Sequence, residues 1–182
     1  MKLLYNTPSV CYYTIFNEGW GQFSADKCYK HFKGLDNSRI FDTASGWFLP
    51  KLSDVKSEHI YFKPIRLKTD CEKPLVLSEF GGYSCKIENH IFNKKRTYGY
   101  KFFKTESQFE NALDKLYMNE ILPAFKSGLN ATVLTQVSDV EDETNGLLTY
   151  DRQVLKVNEK HLLEIAENLK KAFTDSISVP NP

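Results

Sequence analysis

A chain of 182 residues with 41% hydrophobic and 14% aromatic content carries enough apolar material for one domain with a sizeable core. Its formal net charge of +1 excludes a strong electrostatic drive toward nucleic acid or an anionic membrane. No stretch reaches the roughly 18 apolar residues of a membrane span, and Met1 to Pro8 lack the apolar core of a signal peptide, so the chain as given reads as soluble and cytoplasmic. Cys11, Cys28, Cys71 and Cys85 form no CxxC pair and show no metal-ligand spacing; all four are expected as free thiols, Cys11 buried in a strand.

The first predicted strand runs from about Val10 to Phe16, apolar or aromatic on both faces, as a parallel strand buried on two sides requires. It stops at Asn17-Glu18, followed by Gly19-Trp20-Gly21-Gln22-Phe23 as a loop. Ser24 stands where a helix cap is needed, for a helix to about Lys33 that Gly34 ends, with Cys28, Tyr29 and Phe32 as its buried stripe. A second strand is expected over Arg39–Thr43 and a third over His59–Phe62. Lys68 to Lys73 form a connection, and Pro74–Ser78 a fourth strand that meets Glu79-Phe80-Gly81-Gly82.

Phe80 to Lys104 read as a long loop, a length that usually serves a site. Thr105-Glu106-Ser107-Gln108 is a capping box, a threonine with glutamine three residues on, opening a helix to about Ser127 before Gly128. A fifth strand follows at Ala131–Thr135, then a loop over Val137–Tyr150 with the acidic run Asp139 to Glu143. Asn158 caps a last helix whose Leu162, Ile165, Ala166, Leu169, Ala172 and Phe173 fall at helical spacing; residues 1–175 form the domain and Ser176 to Pro182 a loose tail.

Strands alternating with helices or long connections imply an α/β fold with a parallel sheet. In such sheets working residues gather at the carboxyl ends of strands, which is where Asn17, Glu18, Trp47, Glu79 and Gln136 fall, with His59 and Tyr61 in the third strand. Two glutamates at two strand ends suit glycoside hydrolysis, in which one carboxyl protonates the leaving oxygen while the other, about 5–5.5 Å away, attacks the anomeric carbon. Alternation along the fourth strand places Leu75, Leu77 and Glu79 on one face. Trp20 and Trp47 offer indole faces on which a sugar's C–H face can stack.

The segments Ile15-Phe16-Asn17-Glu18-Gly19-Trp20-Gly21-Gln22-Phe23, Ala44-Ser45-Gly46-Trp47, Leu77-Ser78-Glu79-Phe80-Gly81-Gly82 and Gly146-Leu147-Leu148-Thr149-Tyr150-Asp151-Arg152 resemble the catalytic barrel of glycoside hydrolase family 2, from about Thr7 to Val157. This is the family of β-galactosidases, β-glucuronidases and β-mannosidases. The resemblance implies a partial (β/α)8 TIM barrel covering strands 4 to 8, with Glu18 as acid/base and Glu79 as nucleophile. It also implies that Asn17 bonds the sugar 2-hydroxyl, that His59 or Tyr61 lines the floor and holds the nucleophile, and that Asp139 to Asn145 close the rim. Composition alone reads that last loop as a solvated acidic turn or a calcium site.

The chain departs from the family at Thr7, where histidine is common, and at Thr135-Gln136, where many relatives carry an aromatic platform; Gln136 is the substrate-binding residue expected there. It carries neither barrel strands 1 to 3 nor the β-sandwich domains that usually precede the barrel. No cofactor and no metal are expected. The expected partners are a β-glycoside and, because two strand edges would stand open, a second copy or a complementing N-terminal barrel half. The competing expectation is a catalytically inactive remnant that binds only sugar or a complementing chain.

Overall fold

The computed structural model describes residues 1–67 and 72–178. The expectations for 68–71, Cys71 among them, and for 179–182 lie outside the described residues. A short 3-10 turn, Lys2–Leu4, leads to β1, Tyr12–Asn17, α1, Ala25–Leu35, and β2, Ile40–Ser45. Next come β3, Lys56–Ile60, β4, Leu75–Gly81, β5, Tyr83–Cys85, and β6, Lys101–Phe103. α2, Glu106–Leu116, passes through a π turn, Tyr117–Ile121, into α3, Leu122–Lys126; β7, Leu129–Thr135, and α4, Glu159–Ser178, complete the order.

β1 and β2 pair in parallel, from Tyr12 opposite Ile40 to Asn17 opposite Ser45. β3, β4 and β7 form a second parallel sheet in that order. Between β2 and β3 the link is made mainly by side chains: Ser57 Oγ donates to Asp42 Oδ1 at 3.0 Å, and Ser53 Oγ accepts from the Thr43 N–H at 3.2 Å. The result is an α/β fold whose five main strands run parallel and follow chain order. They do not close: among the described residues β1 pairs only with β2, and β7 only with β4.

The apolar core lies between the second sheet and the helices, where Leu75, Leu77 and Phe80 of β4 pack with Leu116, Ile121 and Leu129. On the other sheet, Tyr13 stacks on Phe41 at 5.5 Å, and Phe41 meets Phe32 of α1. Pro123 has no N–H to return to the turn before it, and the π turn immediately upstream absorbs that irregularity. Gly128, at φ 101°, ends the helical segment as its position predicts. Thr105 caps α2 by accepting from the Gln108 N–H at 3.2 Å, and Asn158 caps α4 through the Lys160 N–H at 2.9 Å.

Several expectations need correction. Ser24 stands at the N-cap of α1 in a left-handed conformation, φ 41°, and its side chain makes no cap bond. Cys11 precedes β1 and is exposed; Cys11, Cys28 and Cys85 are free thiols. The third strand begins three residues earlier than His59, and Tyr61 lies just past its end. Phe80 to Lys104 are not one loop, because β5 and β6 pair within them, Tyr83 opposite Lys101. Strands of three residues are too short to show a period. Residues 176–178 continue α4 rather than loosening. Among the described residues, no helix is long and apolar enough to cross a membrane.

The loop after β7 is held from below. Lys156 Nζ donates to Asp139 Oδ1 at 2.6 Å and to the Thr144 carbonyl at 3.0 Å, and the Gly146 N–H donates to Asp139 Oδ1 at 2.8 Å. Both charged side chains are fully buried. Burial raises the Asp139 carboxyl and lowers the Lys156 amine, while the bond between them works against both shifts. Lys156→Met leaves a buried carboxylate without its cation and is expected to cost about 3–5 kcal/mol in urea unfolding, with Asp139→Leu added to it recovering most of the loss. A single-variant loss under about 1 kcal/mol would refute the anchoring role.

Asp42 makes a pH prediction. Burial raises its carboxyl above the usual 3.8, against the bonds from Ser57 and Tyr12 that lower it. The folded chain therefore keeps a proton that the unfolded chain releases as pH rises past that value. This contribution to stability is full at low pH and is lost as pH climbs through the raised value. Asp42→Asn cannot ionise, so its unfolding midpoint should fall less steeply as pH rises above 3.8 than that of the native chain. Equal slopes would rule Asp42 out as a source.

Candidate active site

Glu18 and Glu79 arrive from different sheets. Glu18 follows β1 with φ 54°, and its N–H donates to the Ser45 carbonyl at 2.9 Å, extending the β1–β2 ladder by one step. Glu79 arrives by a register shift. Glu58 pairs with Leu77 but His59 pairs with Glu79, so Ser78 is an extra residue on β4. The bulge breaks the alternation. Leu75 and Leu77 stay on the helix side with Phe80, and Glu79 turns to the other side with Val76. The expected common face of Leu75, Leu77 and Glu79 is thus corrected, and the correction brings Glu79 into the site.

Between the two carboxylates stands His59, buried on β3. Its Nδ1 is 2.8 Å from Glu18 Oε1 and 3.5 Å from Glu79 Oε2. Its Nε2 is buried without a partner, so the proton is assigned to Nδ1, which donates to Glu18 Oε1. Tyr61 donates its hydroxyl to Glu79 Oε2 and lies 3.0 Å from Thr135 Oγ1. Burial, then the bond to Glu79, pushes the Tyr61 hydroxyl far up, so it stays a donor throughout the ordinary pH range. Of the two residues expected to hold the nucleophile, Tyr61 makes the direct bond, while His59 lies closer to Glu18.

Tyr100 packs flat on Tyr61, ring centres 3.7 Å apart and planes within 2°. Gly82 makes room for it: at φ 60°, a Cβ there would lie 2.2 Å from Tyr100 Cδ2. Gly46, at φ 95°, is similarly placed, since a Cβ would come 3.0 Å from His59 Nδ1. The glycines of both sequence motifs thus make room for the rings that hold the carboxylates.

The remaining predicted residues divide. Asn17 accepts from Ser45 Oγ at 2.6 Å and lines an open trough of about 570 Å³ beside Glu79. Trp47 donates Nε1 to the His59 carbonyl at 3.3 Å and meets His59 edge-on, with 57% of its surface exposed. Trp20 is 79% exposed and lines neither the trough nor the pocket at the carboxylates. Gln136 follows a cis peptide after Thr135, and its Nε2 donates to Glu143 Oε2 at 2.9 Å and to Asn145 Oδ1 at 2.7 Å. The acidic loop is therefore neither solvated throughout nor a cation cage: Asp139 is paired with Lys156, Asp142 accepts from Asn93 at 2.9 Å, and Glu143 accepts from Gln136.

Glu18, Tyr61, Glu79, Tyr100, Gln136 and Glu143 together line a pocket of about 420 Å³. Ser45, Thr135, Tyr100, Glu143 and Asn145 were not singled out as site residues from the sequence. Ser45 lies inside a quoted motif, and Tyr100 lies in the ring-rich run Tyr98-Gly99-Tyr100-Lys101-Phe102-Phe103. One ligating atom from each of Glu18, His59 and Glu79 lies within 4.8 Å of the others, so these three could share a cation. The same closeness serves chemistry that needs two carboxyl groups on either side of one atom, with different neighbours on each. No protein-family model matches the chain, and a search of curated proteins finds no match.

Gly82→Ala tests the ring support. Alanine must adopt the left-handed conformation, costing about 1–2 kcal/mol, and must displace Tyr100. The variant should lose about 2–4 kcal/mol in stability and lose the ring-stacking shifts of Tyr61 and Tyr100 in proton NMR. Unaltered ring signals would show that Gly82 does not hold Tyr100 in place.

Proposed function

We propose that the chain is the C-terminal catalytic portion of a retaining β-glycosidase of glycoside hydrolase family 2, with β1, β2, β3, β4 and β7 as strands 4 to 8 of a partial (β/α)8 barrel. The observation that carries the reading is the pair Glu18 and Glu79, brought from the ends of two separate parallel strands to within 4.8 Å oxygen to oxygen. Retaining glycosidases hold their carboxyl groups about 5–5.5 Å apart, and inverting ones about 6.5–9.5 Å. Parallel strands in chain order, with these groups at one rim, support the same assignment.

In this mechanism a Glu79 oxygen attacks the anomeric carbon while the glycosidic C–O bond breaks, and Glu18 passes its proton to the departing oxygen. Glu18, now a carboxylate, takes a proton from water. The water oxygen bonds to the anomeric carbon, and Glu79 leaves as a carboxylate. Tyr61 holds one Glu79 oxygen and leaves the other to attack. His59 orients Glu18 through Nδ1. Asn17 bonds the 2-hydroxyl of the sugar, Trp47 packs edge-on against His59, and no cofactor takes part.

The barrel in this reading needs three more strands between β7 and β1, from the same polypeptide or from another chain. A second reading rests on the open edges of β1 and β7: the 182 residues alone bind a sugar or a complementing chain without turnover. Aryl β-glycosides assayed with and without an N-terminal barrel half distinguish the two. Under the first reading hydrolysis occurs with retained anomeric configuration, and Glu79→Gln lowers kcat by about 10³-fold or more. Turnover no higher than in Glu79→Gln, with the complementing half present, would overturn it.

A further inference from the structure

Resting on the glycosidase reading, we propose that the pocket selects amino sugars, with Glu143 as the residue that recognises the sugar ammonium group, and that it rejects uronic acids. Glu143 comes from the loop after β7 and shares the 420 Å³ pocket with Glu18 and Glu79. The reaction uses two carboxyl groups; Glu143 is a third that the mechanism leaves idle. No lysine or arginine lines this pocket, and among the described residues no cation pairs with Glu143, whose bonding partner is the neutral amide of Gln136 at 2.9 Å.

That bond also fixes the carboxylate. Gln136 Nε2 holds Glu143 Oε2 and Asn145 Oδ1 at once, and Asn145 is buried in the loop that Lys156 anchors. Glu143 is therefore held in place rather than swinging on a solvated turn. Its Oε1 is left to accept from a ligand. A carboxylate held at a partly closed pocket wall and facing no base attracts a cationic group and repels an anionic one. Among pyranosides the cationic members are those with a free amino group. A uronate would bring a fourth carboxylate to a wall that has no donor cation to receive it.

Nuclear magnetic resonance titration of the 15N-labelled chain with methyl β-D-glucosaminide, methyl β-D-glucoside and methyl β-D-glucuronide tests this. The glucosaminide is expected to bind about tenfold tighter than the glucoside, the worth of one charge-assisted hydrogen bond, and the glucuronide weakest. Glu143→Gln keeps an acceptor for Gln136 but no charge, and should bring the glucosaminide-to-glucoside ratio close to one. Salt at roughly 1 M should narrow the same ratio in the native chain. Equal affinities for the glucosaminide and glucoside, or a preference that survives Glu143→Gln, would overturn the amino-sugar assignment and leave the glycosidase reading standing. If none of the three sugars moves the backbone signals of Glu18, Glu79 and Tyr61 with the complementing N-terminal barrel half present, both fail together.

Discussion

β4 carries one residue more than β3 across the step from Glu58 to His59, and the arrangement of the site depends on that surplus. In a regular strand Glu79 would follow Leu75 and Leu77 toward the helices, where a carboxylate would meet Leu116 and Ile121. Ser78 takes up the extra step, and its hydroxyl bonds the Glu58 carbonyl at 3.3 Å, so the bulge is held from within the sheet. Beyond it Phe80 returns to the apolar cluster while Glu79 faces His59 and Tyr61. Two residues separate Leu77 from Phe80, so regular alternation would put them on opposite faces, and burying both on one side while presenting Glu79 on the other needs one irregular step. The bulge provides that step.

Around this point, support comes in layers. Tyr61 and His59 hold the carboxylates, Tyr100 and Trp47 hold those rings, and Gly82 leaves space for Tyr100. From the far side, Gln136 joins the pocket wall to a loop whose floor is the Asp139–Lys156 pair. The acidic residues Asp139, Asp142 and Glu143 each have a different side-chain partner, drawn from different parts of the chain.

What the sequence disclosed divides by range of interaction. Thr105 with Gln108, Gly128 and Asn158 act within a turn of the helix they bound, and their roles can be read from adjacent residues. The five principal strands were legible because apolar runs ended at polar residues. The bulge was not, because alternation assumes the period that Ser78 breaks. Tyr100 was hidden because its role rests on Tyr61, 39 positions earlier by residue number, in a segment without periodicity. Asp139 reads as solvated by composition, and only the fold brings Lys156, 17 positions on, beneath it. Trp20, conspicuous beside Glu18 in sequence, stands in solvent because the turn after β1 carries it outward.

The buried Asp139–Lys156 pair also gives the molecule an uneven response to heat. Hydration of charged groups carries a strongly negative entropy, so the advantage that water offers these two groups shrinks as temperature rises, whereas apolar stabilisation per unit area levels off. The clamp beneath Gln136 and Glu143 therefore gains on the apolar cluster at β4 with warming.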